Sequence, residues 1–593
     1  MSTTIPASGK TNPRGAAENT ASVRRRRIIF LFLNLLTFGA FAAIMLVLIV
    51  HGGMTISEWL TGLGFLLTTP YVVLGFWNSA IGLWLLHWRP DTIAAMPGVA
   101  ELRDPAPPPA LDCDAVLVMT LHNEAPGPIF ERLSRMRASL AKTGQLARFT
   151  FAVLSDSNDP AVITAEERLF ANFAGRRAGG EPTPIYRRRV HNHGYKAGNI
   201  YEFLETHGAR FDYFIPLDVD SLMSGAVTTR LVAAMQARRE IGILQSLVVG
   251  MPSTSGFTRV FQFGMRHGLR VFTTGAAWWT ADCGPYWGHN AVIRTAPFRE
   301  HCRLPELSGP PPFGGAILSH DQVEATFMRR AGYEVRVIPV ESESYEINPP
   351  TLLDFIRREL RWCQGNMQYF RLLAEPGLRP VSRMQLIIAI GMYLGQAAWI
   401  GMIAVGCIGS MVGNFRFQDL VLGMTLFVGI FSLSVAPKIF GALDVCFSRG
   451  GVARYGGFVR FVASALMELV SSTIMAPIVA VSVTLFLIGL LFGKSVIWSG
   501  QNRDRLGVAW RDALRNLAPH TLAGIALAVA LWWVGGMNAV AWGSPVIAGL
   551  ALSVPYTVFG ALPMIGGGLT RLGLFGIPEE RNPPPLLAAK APG

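Results

Sequence analysis

Phe214-Ile215-Pro216-Leu217-Asp218-Val219-Asp220-Ser221 is an apolar strand that runs out into two carboxylates. Open α/β sheets bind ligands at the carboxyl ends of their strands, so charges delivered there face a cleft. Two acids at such an edge suit a hard divalent cation, Mg²⁺ or Mn²⁺, which takes oxygen ligands and often bridges phosphates. Residues two apart share a face on a regular strand. The strand breaks here, however, so Asp218 and Asp220 need not act alike. The competing reading is an acidic turn that caps the next helix.

Working outward, two more strands end in polar groups. Residues 115–120 run through Thr120 into Leu121-His122-Asn123-Glu124, and residues 149–155 into Asp156-Ser157-Asn158-Asp159. One such junction means little, because turns favour Asp, Asn and Ser. Three of them on one sheet predict a shared site for an anionic ligand and a metal. Lys196 stands among small residues ahead of a helical run, where a helix N-terminus also favours phosphate. Arg187 to Arg189 read as solvated basic surface. Trp287-Gly288-His289-Asn290 offers an aromatic beside glycine, which suits a flat, hydroxyl-rich acceptor. The same holds for Trp278-Trp279, where a membrane-surface belt is the alternative. Ser319-His320-Asp321 opens a helix. Asp321 is a candidate general base, and Glu324 reads as a first-turn helix residue. Arg358-Glu359-Leu360-Arg361-Trp362 supplies guanidinium groups that can clamp phosphate oxygens.

Around this segment the chain is a membrane protein. Of 593 residues, 51% are hydrophobic and only 15% charged, with a net charge of +13. Soluble domains typically carry about a quarter charged residues. The basic excess reads as the cytoplasmic flanks of membrane helices rather than a nucleic-acid surface. Residues 1–27 are expected to be a disordered basic arm that ends in four arginines, residues 24–27. Residues 28–88 are expected to form a transmembrane hairpin, and residues 89–111 a proline-rich linker. Residues 112–380 alternate strand and helix patterns, which predicts a largely parallel sheet in a cytosolic domain. Its strand candidates are 115–120, 149–155, 185–190, 213–217, 241–248 and 335–340. Residues 381–566 hold about six further spans and 567–593 a cytosolic tail. Arg449, Arg454 and Arg460 before the 461–493 run, and Lys494, Arg503, Arg505, Arg511 and Arg515 after it, put both its ends on one side. A pair of spans broken near Ala476-Pro477 is therefore expected, for eight crossings in all. A membrane-surface helix is the alternative. The scattered cysteines read as free thiols.

The ordered motifs resemble processive family 2 glycosyltransferases with the GT-A fold, the relatives of cellulose and hyaluronan synthases. The resemblance rests on Asp156, Asp218-Val219-Asp220, His320-Asp321 and Arg358 to Trp362. Arg358 replaces the glutamine that begins the last motif in that family. Residues 286–294, 318–325, 361–366 and the tail 577–580 are more similar to the glucosyltransferases of osmoregulated periplasmic glucans. That resemblance implies an α-helical membrane protein carrying a GT-A insert in the bacterial inner membrane. It also implies UDP-glucose as donor, a growing β-1,2-glucan as product and acyl carrier protein as a further partner. By the same resemblance Asp220 and Asp218 would hold the metal. Thr120, Asn123, Glu124, Asp156, Lys196, Asp218, Arg358 and Arg361 would bind the nucleotide sugar, and Asp321 would be the base. Trp287, Gly288, His289, Asn290 and Trp362 would place the acceptor. The alternatives are another β-glycan synthase, a transferase that makes lipid-linked sugars, and a non-catalytic transporter or scaffold.

Overall fold

The computed structural model describes residue 18 and residues 20–177, 179–413, 420–496 and 507–588. Arg503 and Arg505 lie outside the described residues, as do residues 1–17 of the expected N-terminal arm.

The insert is built on a seven-stranded sheet. Its strands are β1 (Ala115–Leu121), β2 (Phe149–Ser155), β3 (Ile185–Arg188), β4 (Tyr213–Leu217), β6 (Ile241–Gln245), β8 (Ala291–Arg294) and β9 (Glu334–Val337), in the order β3-β2-β1-β4-β8-β6-β9. Three short strands, β5 (Leu222–Met223), β7 (Val249–Gly250) and β10 (Ser344–Glu346), form a second small sheet in the order β5-β10-β7. β1 is parallel to both β2 and β4, with Ala115 level with Phe149 on one side and Tyr213 on the other. The chain leaves β1 in opposite directions, so a crevice opens at the carboxyl ends of β1 and β4, where such sheets bind ligands. Every residue of β2 and β4 is buried, which explains their unbroken apolar runs.

The sheet is largely parallel, as expected, with one exception. β8 was absent from the strand candidates, and it runs antiparallel to both β4 and β6. Four residues are too few to show an alternation in sequence. β8 is held instead by the turn before it, where Gly288 and Asn290 have positive φ of 81° and 52° and the Asn290 N–H donates to Pro216 O at 2.9 Å.

Among the described residues, six helices are long and apolar enough to cross a bilayer: Thr20–Gly52, Ile56–Trp88, Pro380–Met411, Val421–Phe447, Phe458–Leu491 and Trp510–Ala551. Helix Thr20–Gly52 takes in Arg24 to Arg27, so the basic stretch is helical from Thr20 onward. The region expected to be a linker carries two short helices, Pro90–Ala94 and Val99–Arg103. The hairpin of the first two helices is tightened by a capping box, with Thr55 and Glu58 exchanging side-chain and backbone bonds.

The expected break at Ala476-Pro477 does not exist: Phe458–Leu491 is one helix that passes through Pro477. Half of its most apolar window is buried in protein, against 11–22% for the other five helices. Near its start Glu468 lies against Gly264 of the insert and pairs with Lys438 at 2.5 Å. In its middle Ile478 packs with Leu352 and Phe355, and towards its end Val483 and Leu490 join the cluster that holds Cys363. The helix therefore packs against the insert along one side, and Glu468 is met there by Lys438 and by Ser472 Oγ, which donates to it at 2.7 Å. Helix Trp510–Ala551 folds back on itself at Gly535 and Gly536, the latter at φ 63°. Thr521 bonds Ser553 across the two arms at 3.1 Å, and Gly524 lies against Leu550 and Ala551.

The insert is fastened to these helices along Gly256–Thr280. A Cβ on Gly82 would strike the Val271 carbonyl, and one on Gly275 the Asn78 carbonyl, so the two helices touch backbone to backbone. Trp279 stacks on Phe30 at 4.4 Å between centroids and donates to Asn78 Oδ1 at 2.9 Å. Trp278 and Trp279 thus join insert to membrane helix and are not part of a sugar site.

Candidate active site

β1 and β4 deliver the first polar groups because each runs apolar to its last residue and then turns. Beyond β1, Asn123 adopts φ 61° and ties two turns together: its N–H donates to Ser157 Oγ at 2.8 Å, and its Oδ1 accepts from the N–H groups of Asn158 and Asp159 at 3.0 Å. Thr120 is half-buried one residue before the end of β1. Glu124 accepts from the His122 N–H at 2.5 Å.

Asp156, at the end of β2, is buried and held by both nitrogens of a guanidinium fork. Arg189 Nε donates to Oδ1 at 2.5 Å and Nη2 to Oδ2 at 3.0 Å. Arg189 also donates to Glu202 at 2.8 Å and to the carbonyl of Tyr195 at 2.8 Å. The expectation of a solvated surface is wrong for Arg189 and for half-buried Arg187, whose Nη2 donates to Asn199 O at 2.7 Å; the two share a face of the chain while Arg188 is exposed.

Beyond β4, the turn 218–221 is closed by Ser221, whose Oγ accepts from the Asp218 N–H at 3.0 Å. Lys196 Nζ donates to Asp218 and, at 2.8 Å, to the carbonyl of Gly288. Asp220 is buried and accepts from the Ile347 N–H at 3.3 Å. His289 lies 3.4 Å from Ser221 Oγ and 3.5 Å from Glu346 Oε2. Gly288 is where the two halves of the cleft meet. A Cβ built on it would stand 3.4 Å from Asp321 Cβ, 3.9 Å from Asp321 Cγ and 3.8 Å from Lys196 Nζ. A side chain there would also be strained at φ 81°.

Asp321 begins helix Asp321–Arg330, and its turn is pinned by Tyr369 Oη donating to Ser319 O at 2.8 Å. Beside it, His320 Nδ1 is 3.0 Å from Glu324 Oε2. Burial works against a charge on His320, but Glu324 and then Asp321 outweigh it and raise the imidazole pKa. Glu324 is itself buried, so it is more than a first-turn residue.

Helix Leu352–Gln368 covers the cleft. Its N-cap Thr351 accepts from the Asp354 N–H at 3.2 Å. Arg361 is in electrostatic range of Asp218 and Glu124; burial and neighbouring Arg358 press its pKa down, and the two acids oppose them. Arg358, near it, has its guanidinium 4.7 Å from the Trp362 ring and 5.3 Å from that of Phe355. Trp362 keeps 44% of its surface exposed. Trp287 is fixed through its N–H, which donates to Gln245 Oε1 at 2.9 Å. Asn290 is fully buried, with its amide donating to Ser344 Oγ at 3.0 Å and Tyr345 O at 3.2 Å. Its amide group thereby helps to shape the turn.

The fold thus brings together Asp218, Asp220, Lys196, Gly288, His289, Asp321 and Arg361, with the Asp156–Arg189 pair one strand away. Among the described residues no group of three or more His, Cys, Asp or Glu side chains could hold a metal ion alone. A divalent cation fits this cleft in one way, with carboxylates from one turn and the remaining oxygens from a diphosphate, the binding mode typical of Mg²⁺.

Residues 213–496 match the family model for glycosyl transferase family group 2. A curated glucans biosynthesis glucosyltransferase H from Caulobacter vibrioides is 34% identical over 545 residues, which span 88% of this chain and 80% of that protein. One from Rhodopseudomonas palustris is 35% identical over 596 residues, 97% of this chain and 80% of the relative. Among solved structures, a mannosyltransferase from Pyrobaculum calidifontis in complex with GDP-Man and Mn²⁺ aligns with 67% of this chain and 98% of its own. Its TM-score is only 0.39 at 14% identity, too slight a likeness to bear on the site. The chain belongs to the glucans biosynthesis glucosyltransferase H family: it is a membrane glycosyltransferase of glucan biosynthesis with a GT-A insert.

Proposed function

We propose that the protein transfers glucose from UDP-glucose to the end of a β-1,2-linked glucan with inversion at the anomeric carbon. The insert faces the bacterial cytosol, and the helices after residue 380 pass the product outward. The observation that carries this reading is the meeting at Gly288. There the carboxyl of Asp321 and the amine of Lys196 approach one glycine, and Lys196 reaches Asp218 at the end of β4.

A metal ion held by Asp220 and Asp218 would neutralise charge developing on the departing diphosphate. Lys196 and Arg361 add fixed positive charge at the same place, and preorganised charge is commonly the largest catalytic term. Asp156, immobilised by Arg189, faces the nucleoside together with the Thr120–Glu124 turn. Trp362, half-exposed and backed by Arg358, and Trp287 offer rings to the acceptor sugar. Asp321 accepts the proton of the attacking hydroxyl, and a single in-line displacement turns an α-linked donor into a β-linked product.

The test is a donor screen on purified protein in detergent with UDP-glucose, UDP-N-acetylglucosamine and GDP-mannose, followed by linkage analysis. β-1,2-glucan from UDP-glucose is the expected product. Another linkage, or a sugar recovered on an organic-soluble lipid, would replace the reading. Export is tested in sealed vesicles that carry the insert outside: labelled glucan should collect in the lumen, and label confined to the outside would reject passage through the helices.

A further inference from the structure

Two different elements supply Asp156, just past the end of β2, and Lys196, in the first turn of helix Tyr195–His207. One guanidinium spans both. Arg189 gives Nε and Nη2 to the two oxygens of Asp156, at 2.5 and 3.0 Å. The same Nη2 donates to the Tyr195 carbonyl at 2.8 Å and to Asn192 Oδ1 at 3.1 Å. Nη1 donates to the His193 carbonyl at 2.9 Å and to Glu202 Oε1 at 2.8 Å. All the N–H groups of the fork are thus engaged, so Arg189 acts through its neighbours and not on a substrate.

The carbonyls it holds belong to a turn that needs holding. Gly194, the N-cap, has φ 68°, and Tyr195 has φ 53°, a left-handed conformation that a residue with a side chain keeps only where its surroundings enforce it. Lys196 follows directly and gives Nζ to Asp218 and, at 2.8 Å, to the carbonyl of Gly288. Burial works against a charge on Arg189, but Asp156 and then Glu202 outweigh it and raise the guanidinium pKa. The backbone N–H of Arg189 donates to Ser155 O at 3.1 Å, so the fork stands beside the strand that leads to Asp156.

We propose that Arg189 is a positioning residue that couples recognition of the nucleoside at Asp156 to the placement of Lys196 at the diphosphate. The inference rests on the donor reading, in which Asp156 meets the nucleoside and Lys196 the diphosphate. A base seated against Asp156 fixes the fork, and the fixed fork orders the turn before Lys196. That ordering is already complete when the diphosphate arrives, so the second half of the nucleotide binds more tightly than it would alone. Linkage makes the coupling reciprocal: a diphosphate on Lys196 favours the nucleoside by the same factor. A lysine at position 189 would keep the charge but lack the planar fork, and would reach only one of the two ends.

Uridine and inorganic pyrophosphate, which each represent one half of the nucleotide, test this as paired inhibitors of UDP-glucose turnover by the full-length protein at constant free Mg²⁺. In the parent, saturating uridine should tighten inhibition by pyrophosphate by about 5-fold or more, the lower end of coupling between linked sites. Pyrophosphate should tighten uridine by the same factor. In Arg189→Lys the two should inhibit independently, and KM for UDP-glucose should rise. A parent in which the two probes ignore each other overturns the proposal, and that measurement needs no variant to fold. A coupling that survives in Arg189→Lys overturns it too, because the fork would then only brace the loop. Lys196→Met keeps the two readings apart: it should weaken pyrophosphate and leave uridine alone unchanged. Unaltered pyrophosphate inhibition in that variant removes Lys196 from the diphosphate, and the donor reading falls together with the inference. Weakened pyrophosphate in Lys196→Met, with no coupling in the parent, rejects the part given to Arg189 and leaves the donor reading in place.

Discussion

The donor cleft and the seam between insert and membrane helices use charge in opposite ways. At the seam, cations and anions close on one another. Arg266 is buried and forks between Glu341 at 2.5 Å and Glu579 of the tail at 2.9 Å. Arg259 holds Glu580 at 2.5 Å, Arg270 holds Asp444 at 2.7 Å, and Arg27 and Arg329 share Asp282, each at 2.5 Å. In the cleft the charges gather at the strand ends: Lys196 donates to Asp218 and to the carbonyl of Gly288, and Arg361 lies in electrostatic range of Arg358, Asp218 and Glu124. Arginine–carboxylate pairs between distant segments make a joint; cations and carboxylates gathered at the carboxyl ends of β1 and β4 make a place for a charged substrate.

The contrast breaks most visibly at Asp321. Replacing it with Asn should lower kcat by roughly 10²–10⁴-fold, the contribution usual for a general base, with UDP binding retained in equilibrium titration. Substantial remaining turnover would move the chemistry elsewhere in the cleft.

At the seam the corresponding change is Arg266→Met. It leaves Glu341 and Glu579 without their shared cation, and removal of one partner from a buried pair costs about 3–5 kcal/mol. We expect a lowered thermal midpoint in detergent and proteolysis of the tail near Pro578. A variant as stable as the parent, with a protected tail, would mean that the joint is held by apolar contacts alone.

A milder way to open the same joint is acid. Burial alone would raise the Glu341 pKa, but Arg266, Arg270 and Arg454 overcome it and hold the carboxyl at about 2, against an ordinary value of 4.5. A carboxyl depressed on folding stabilises the fold above its unfolded value, and that stability is lost as pH falls from about 4.5 towards 2. The difference is worth on the order of 3 kcal/mol. Thermal midpoints measured through this window should fall in the parent and fall less in Glu341→Gln.

The smallest effect is expected on the outer face of the helix over the cleft. Arg357 is mostly exposed and meets Asp354 at 3.2 Å. Arg357→Ala should change stability by less than about 0.5 kcal/mol and leave turnover intact. A large loss of activity would make it part of the phosphate clamp.

Parts of this molecule can be read from local pattern. The apolar runs of β1, β2 and β4 and the polar residues after each require no long-range information, because a buried strand must be apolar and its end must turn. Asp156, Asp218 and Asp220 are legible that way, Asp321 as the opening of a helix, and ordered motifs tie them to one family. The Gly-Gly reversal inside Trp510–Ala551 likewise falls between two apolar runs visible in the sequence. What the sequence could not determine depends on partners far along the chain. Arg189 is buried because Asp156, 33 residues earlier, ends the neighbouring strand. β8 is too short for its periodicity to register and is fixed by pairing with β4 and β6. Helix Phe458–Leu491 has the composition of a membrane span, yet half of its most apolar stretch is covered by protein, with Leu352, Phe355 and Cys363 in the clusters it joins. Composition records how apolar a helix is; whether lipid or protein covers that surface is decided only when the rest of the chain packs around it.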